Sequence, residues 1–359
     1  MVMLAIAAVS ATAQDPASPE DAAIDQICKL DQISEGDQNR IAEWVQGQLD
    51  RLGQVPEAER LKAANRLRDR FAARFGDKQC TDAFRTQFPI QAASVAEKTL
   101  SSPSTGPYVA YAVARVLLDM NRPETGAALI ACLKSPLPVA RFLCLRGLTE
   151  QKQQIAGDKD RLERTRLALR EAGMAEQDSI ALAQVYRALG YANQASTVFD
   201  DYMAIFSRRL DDAKAGGRKV ADGAELEAFA FLDTQGVLDA LNQNQKQQLV
   251  GPLAEFMHLY STRYNTEKLE FDEVDRLERS LYYTESLMDR LVDKDGGKIR
   301  DVLTSQGYTG RASVVAEAAK WIGDVESKTP GAVNGPPWNV PLGGSAQAEA
   351  SARTPGSTE

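Results

Sequence analysis

From Ala17 onward apolar residues return every three or four positions and hardly any stretch alternates, so the chain is expected to be helical almost throughout. Ser18-Pro19-Glu20-Asp21 reads as a helix start, with a serine cap, proline at the first helical position and acids against the positive end of the dipole. Ile24, Ile27 and Cys28 then share a face. Ile41, Val45, Leu49 and Leu52 stripe a second helix, with Trp44 beside the stripe. After Pro56 a third helix places Leu61, Ala64, Leu67, Phe71 and Phe75 on one side and Arg60, Lys62, Arg66, Arg68, Arg70 and Arg74 on the other. Asp69 and Asp77 interrupt this basic face, which reads as a solvated helix surface whose long stems cover core edges. The alternative is a surface for anionic lipid headgroups or an acidic partner, which would make the protein a peripheral membrane protein through residues 60–74.

The loop Ser101-Ser102-Pro103-Ser104-Thr105-Gly106-Pro107 is the first expected boundary, and beyond it the chain begins to repeat. Residues 107–117 lie over 138–148 at an offset of 31, and a further 41 residues bring 179–189 into the same frame. Arg115, Arg146 and Arg187 then coincide, as do Leu117, Leu148 and Leu189. A second helix is expected after each unit, over 124–134, 159–172 and 194–210. Offsets of this size belong to stacked helical hairpins.

Leu182-Ala183, Tyr186, Gly190, Ala195 and Phe199 fall at the spacing of a tetratricopeptide repeat, and this unit resembles that family over about one repeat. Ser179 stands where the family often has Trp, and Ser207 where a closing Pro is usual. The units opened by Pro107 and Pro138 look more like HEAT repeats. The resemblance implies an α-solenoid-like array of helical hairpins whose concave surface holds an extended peptide or another helix. Arg115, Arg146 and Arg187 would then be equivalent binding residues, a cationic ladder toward acidic side chains or a chain-terminal carboxylate. The competing reading is that they pair with neighbouring acids.

Residues 213–223 break the helical pattern again. Further helices are expected through Leu226, Phe229, Val237 and Leu241, and from Gly251-Pro252 through Leu253, Phe256, Met257, Tyr260 and Tyr264. Val274, Leu277, Leu281, Thr284, Met288 and Leu291 step like a coiled-coil seam, too short to be more than packing within a bundle. Asp293-Lys294-Asp295-Gly296-Gly297 lacks the later ligands of a calcium loop and reads as a turn. A last helix over 311–325 carries Trp321. From Thr329 the composition turns to Pro, Gly, Ser and Ala, so a disordered tail over 329–359 is expected, with an apolar island at 335–342 that either docks elsewhere or tucks back on its own domain. The organisation so predicted is all-α: a signal-peptide remnant over 1–13, an N-terminal helical segment over 17–100, hairpin repeats over 107–212, a C-terminal bundle over 224–328 and the tail.

Composition adjusts this picture in three places. A net charge of −8 opposes nucleic-acid binding, which needs a basic surface. The apolar run Met1–Val9 followed by Ala11-Thr12-Ala13 reads as the end of an export signal, placing the mature protein in the periplasm or outside the cell. In that compartment four cysteines become disulfide candidates, and locality favours Cys28 with Cys80 and Cys132 with Cys144, against the alternative of four small core residues. No cofactor or metal is expected. With His258 as the single histidine, His-rich metal sites and most nucleophile–His catalysis are disfavoured. The expected function is a protein–protein interaction scaffold or assembly factor of the cell envelope. An enzyme acting on envelope polymers through carboxylates is the alternative.

Overall fold

The computed structural model describes residues 19–215, 223–234, 236–292, 294, 296–306 and 310–342. The expected export signal over 1–13, the Ser18 cap and the end of the tail lie outside them. Among the described residues every regular element is helical, and the one β-type pairing is an isolated bridge between Asp324 and Thr329. The fold is all-α.

Two compact units divide the chain, the first ending at Cys132 and the second starting at Leu133. The first holds α1 (Pro19–Ile27), α2 (Glu35–Gln54), α3 (Glu57–Gly76), α4 (Asp82–Ser101), α5 (Pro107–Met120) and α6 (Gly126–Cys132). Local chemistry sets several starts. The Ser34 hydroxyl accepts the Asp37 amide at the head of α2 while Asp37 reaches back, a reciprocal capping box, and Thr81 caps α4. In the core Trp44, Phe71, Phe84 and Phe88 pack with ring centroids 5.3–6.0 Å apart. Trp44, expected at the edge of its stripe, is buried, and its indole donates to Asp21 at 3.0 Å. Leu61, expected on the core side, is 55% exposed in the first turns of α3. Cys28 and Cys80 form a disulfide with Cα atoms 4.7 Å apart, tying the end of α1 to the start of α4.

The division does not fall at the 101–107 loop. That loop is a tight turn in which the Thr105 hydroxyl donates to Thr99 O, and the helix it leads into, α5, packs on α3 and α4. The first expected hairpin unit therefore belongs with the N-terminal helices, because α5 supplies Val113 and Leu117 to their core.

The second unit contains α7 (Pro138–Glu150), α8 (Lys152–Ala156), α9 (Lys159–Ala175), α10 (Ser179–Leu189), α11 (Ala195–Lys214), α12 (Glu225–Leu232), α13 (Val237–Ala240), α14 (Gln243–Thr266), α15 (Phe271–Leu291), α16 (Ile299–Gln306) and α17 (Arg311–Ile322). Helix α10 packs on α7, α9 and α12, while α11 packs on α9 and α14. Helix α15 lies against α12, α14 and α16, and its stepped residues Val274, Leu277, Leu281, Thr284 and Met288 are all buried by these neighbours. Aromatic rings fill the centre: Tyr186 stacks on Tyr202, whose hydroxyl donates to Tyr186 O at 2.8 Å, and Phe206, Phe229 and Phe256 continue the cluster.

After α17 the chain does not become irregular where its composition changes. Ala332 N and Val333 N donate to Lys320 O and Trp321 O, and the Asn334 amide donates to Ile322 O and Val340 O. Carbonyls at the end of α17 are thereby satisfied, and Val333 and Val340 are buried. Residues 329–342 thus correct the expected disorder: hydrogen bonds to orphaned helix carbonyls order a segment with few apolar side chains. The island at 335–342 tucks back on its own unit. The turn before α16 has a steric logic too, since a Cβ at Gly296 would overlap the Trp321 ring and one at Gly297 the backbone of Glu317.

Candidate functional site

Helices α7 and α10 pack side by side in the second unit and carry the same frame 41 residues apart. Their starts are set locally, α7 by Pro138 at its first position and α10 by Asp178, whose carboxylate accepts the Ala181 amide at 2.9 Å. Ala140, Leu143, Cys144 and Leu148 of α7, and Ala181, Leu182, Val185 and Leu189 of α10, are buried. The outward faces carry Val139, Phe142 and Arg146 on α7 and their counterparts Ile180, Ala183 and Arg187 on α10. Val139 is 48% and Ile180 66% exposed. Two equivalent positions in neighbouring helices thus present branched apolar side chains to solvent, with an arginine two turns further on.

An ion pair with a buried carboxylate ties α7 to the end of α9. Arg141 donates through Nε and Nη2 to the two carboxylate oxygens of Glu176 at 2.7 and 2.6 Å, and through Nη1 to Ser135 O at 2.8 Å. Glu176 also accepts the Gln177 and Asp178 amides at 2.8 Å. Burial pushes its carboxyl up, but the bonds from Arg141 and the two amides outweigh this and hold it below its ordinary value of 4.5.

The three arginines in the repeat frame are each ion-paired. Arg146 meets Glu150 at 3.0 Å, Arg187 meets Glu227 of α12, and Arg115, in the first unit, meets Asp119 at 3.5 Å. Their guanidinium groups are partly neutralised by neighbouring acids. The exposed Val139 and Ile180 are what sequence reasoning missed. Helical periodicity marks apolar positions as core unless a second stripe is recognised, and the shared frame was the signal that could have set these two apart.

At the other end of α10, Lys152 of α8 donates to Gly190 O at 3.1 Å and lies 5.7 Å above the Tyr191 ring. It caps the helix C-terminus, where a cation is favourable. No carboxylate pairs with it among the described residues, and burial pulls its ammonium down to about 8. The same burial pushes the Tyr191 phenol up.

The other candidates resolve as follows. Cys28, Asp77 and Cys80 lie close enough to suggest a metal site, but both sulfurs are spent in the disulfide. Cys132 and Cys144 are likewise disulfide-bonded, and no cysteine is free among the described residues. On the basic side of α3, Arg60 donates to Val55 O, Arg68 pairs with Asp69 and Asp119, Arg70 donates to Gln48, and Arg74 pairs with Asp25 and Asp21. Lys62 and Arg66 have no such partner among the described residues. His258 is half-buried, which lowers its pKa against the opposing pull of Glu255. Among the carboxylates, Glu285 and Asp289 line a cleft of about 910 Å³ with Lys294, Lys298 and Arg300. Arg300 bonds both acids, and Glu285 further accepts the Ile299 and Arg300 amides, so this pair anchors α16. No helix of the described residues is long and apolar enough to cross a membrane.

No family model matches the chain, and neither a curated protein nor a solved structure matches it.

Proposed function

We propose that the protein is a scaffold or assembly factor that holds a partner protein on the outward face of α7 and α10, within a helical-hairpin array of tetratricopeptide or HEAT type over α7–α12. The observation that carries this reading is the exposure of Val139 and Ile180 at equivalent positions of two packed helices. Exposed branched residues repeated in register supply apolar area for association, and flanking arginines supply orientation. Because Arg146 and Arg187 are already paired with acids of this chain, they act at the rim while the apolar residues contribute most of the affinity. The site of action is the periplasm or cell envelope. Disulfide-bonded cysteines fit an oxidising compartment, and the export signal expected over 1–13 leads there.

The test replaces Val139→Asp and Ile180→Asp together. Both side chains face solvent, so the variant folds with an unchanged thermal midpoint and loses partner capture. Replacing Arg146 and Arg187 by Ala weakens capture less. Capture that survives the apolar replacements sinks the reading.

A further inference from the structure

The first unit contains a cleft of its own. The end of α2, the end of α4, the 102–106 loop and the start of α5 enclose a cleft of about 690 Å³, a volume typical of small-molecule sites. Leu49 and Leu52 form its apolar floor, and Arg60 and Lys98 its cationic walls.

Arg60 is held in advance. Its Nε donates to Val55 O at 2.9 Å, and its guanidinium lies 5.9 Å over the Tyr108 ring. The side chain is half-buried, yet its two terminal nitrogens carry no hydrogen bond among the described residues. Arg68 and Arg74 of the same helix are, by contrast, paired with acids. An arginine held by its Nε and lying over an aromatic ring offers the planar fork that binds oxyanions bidentately, at small entropic cost. Lys98 is exposed and has no ion pair among the described residues. Ser102 and Ser104 also line the cleft, and their hydroxyls share a single bond of 2.8 Å, which leaves one O–H proton uncommitted. Among the described residues the one carboxylate lining the cleft, Asp50, accepts the Gln46 amide at 2.8 Å.

We propose that this cleft binds a small phosphate-bearing ligand, with Arg60 and Lys98 holding the phosphate and Leu49 and Leu52 beneath its carbon skeleton. Two cations and a hydroxyl donor match a tetrahedral dianion with several acceptor oxygens better than a planar monoanion. A soluble phosphate ester and a phospholipid headgroup share that chemistry, and the experiment separates them.

The full chain, labelled with ¹⁵N, is titrated with inorganic phosphate, glycerol 3-phosphate and acetate while the Thr105, Tyr108 and Val109 amides are followed. The same protein is sedimented with phosphatidylglycerol vesicles. Saturable shifts with glycerol 3-phosphate, weakened about tenfold or more in Arg60→Gln, are expected for a soluble ester. Lys98→Gln, at an exposed side chain with no hydrogen bond or ion pair among the described residues, weakens the same shifts and separates loss of binding from loss of structure. Sedimentation with vesicles, lost in Lys98→Gln, without shifts from glycerol 3-phosphate assigns the headgroup instead. The proposal is overturned if neither source binds, if acetate binds as tightly as phosphate, or if both variants bind like the parent.

Discussion

Arg209 of α11 donates through Nε to Glu225 of α12 at 2.6 Å, and both side chains are withdrawn from solvent, at 3% and 1% exposure. Pairs with at least one largely buried partner hold other helix junctions of the second unit: Arg141 to Glu176, Arg166 to Asp201 between α9 and α11, and Arg263 to Glu273 between α14 and α15. A buried arginine–carboxylate pair contributes little net stability relative to a well-packed apolar pair, but removing one partner strands a charge. These pairs therefore fix which helix meets which, in a unit whose apolar stripes alone would admit other registers.

Arg209→Met alone is accordingly expected to destabilise the protein by about 3–5 kcal/mol, while Arg209→Met with Glu225→Leu recovers most of that loss. Urea unfolding followed by intrinsic fluorescence measures both. A double variant as unstable as the single one would contradict the pairing account.

Glu176 gives the second unit an acid-sensitive joint. Its folded pKa is depressed, so its contribution is fully present above the ordinary value of 4.5 and is lost as pH falls through the lower folded value. The urea midpoint should drop as the pH goes below about 4.5, and more gently in Glu176→Gln, which starts less stable at neutral pH. An identical pH slope in parent and variant would show that the joint lies elsewhere.

Lys152 should stand out chemically. With its ammonium pulled down to about 8, a substantial fraction is neutral amine at pH 7.5, against roughly a thousandth for an ordinary lysine. Brief acylation at that pH, read by peptide mass spectrometry, should modify Lys152 at least about tenfold faster than Lys62 or Lys98. Uniform labelling would mean that the carbonyl of Gly190 and the Tyr191 ring keep it charged.

The Cys28–Cys80 bond closes a segment of 52 residues, and restricting the unfolded chain by that much is worth about 4 kcal/mol in the chain-entropy treatment. Replacing both by Ser should lower the stability of the first unit by 2–5 kcal/mol in order of magnitude and leave the second unit's transition unchanged. Differential scanning calorimetry with two resolved transitions reads this directly.

Helical periodicity and the capping residues made most elements legible, because an amphipathic stripe such as Val274 to Met288 encodes its own burial. The Cys28–Cys80 pairing was legible from locality. What the sequence concealed came from contacts between distant residues. Trp44 reads as peripheral until Asp21 is brought to its indole, and the 101–107 loop reads as a linker until α5 is seen to share a core with α3. Residues 329–342 read as disordered because composition does not reveal that Asn334 will meet the carbonyls ending α17. At the candidate site the arginine frame was visible, whereas the acids that occupy those arginines lie four residues away for Arg146 and forty for Arg187. Only the shorter of these intervals is one that helical spacing can suggest.

The central claim is that the outward face of α7 and α10 is where a partner sits. A photoreactive amino acid placed separately at Ile180, at Val139 and at Gln248 on the exposed side of α14 tests it in cells making the full chain. The account predicts the same discrete crosslinked adduct from Ile180 and from Val139, and none from Gln248. Adducts of equal yield and pattern at Gln248, or none at Ile180 and Val139, would contradict it.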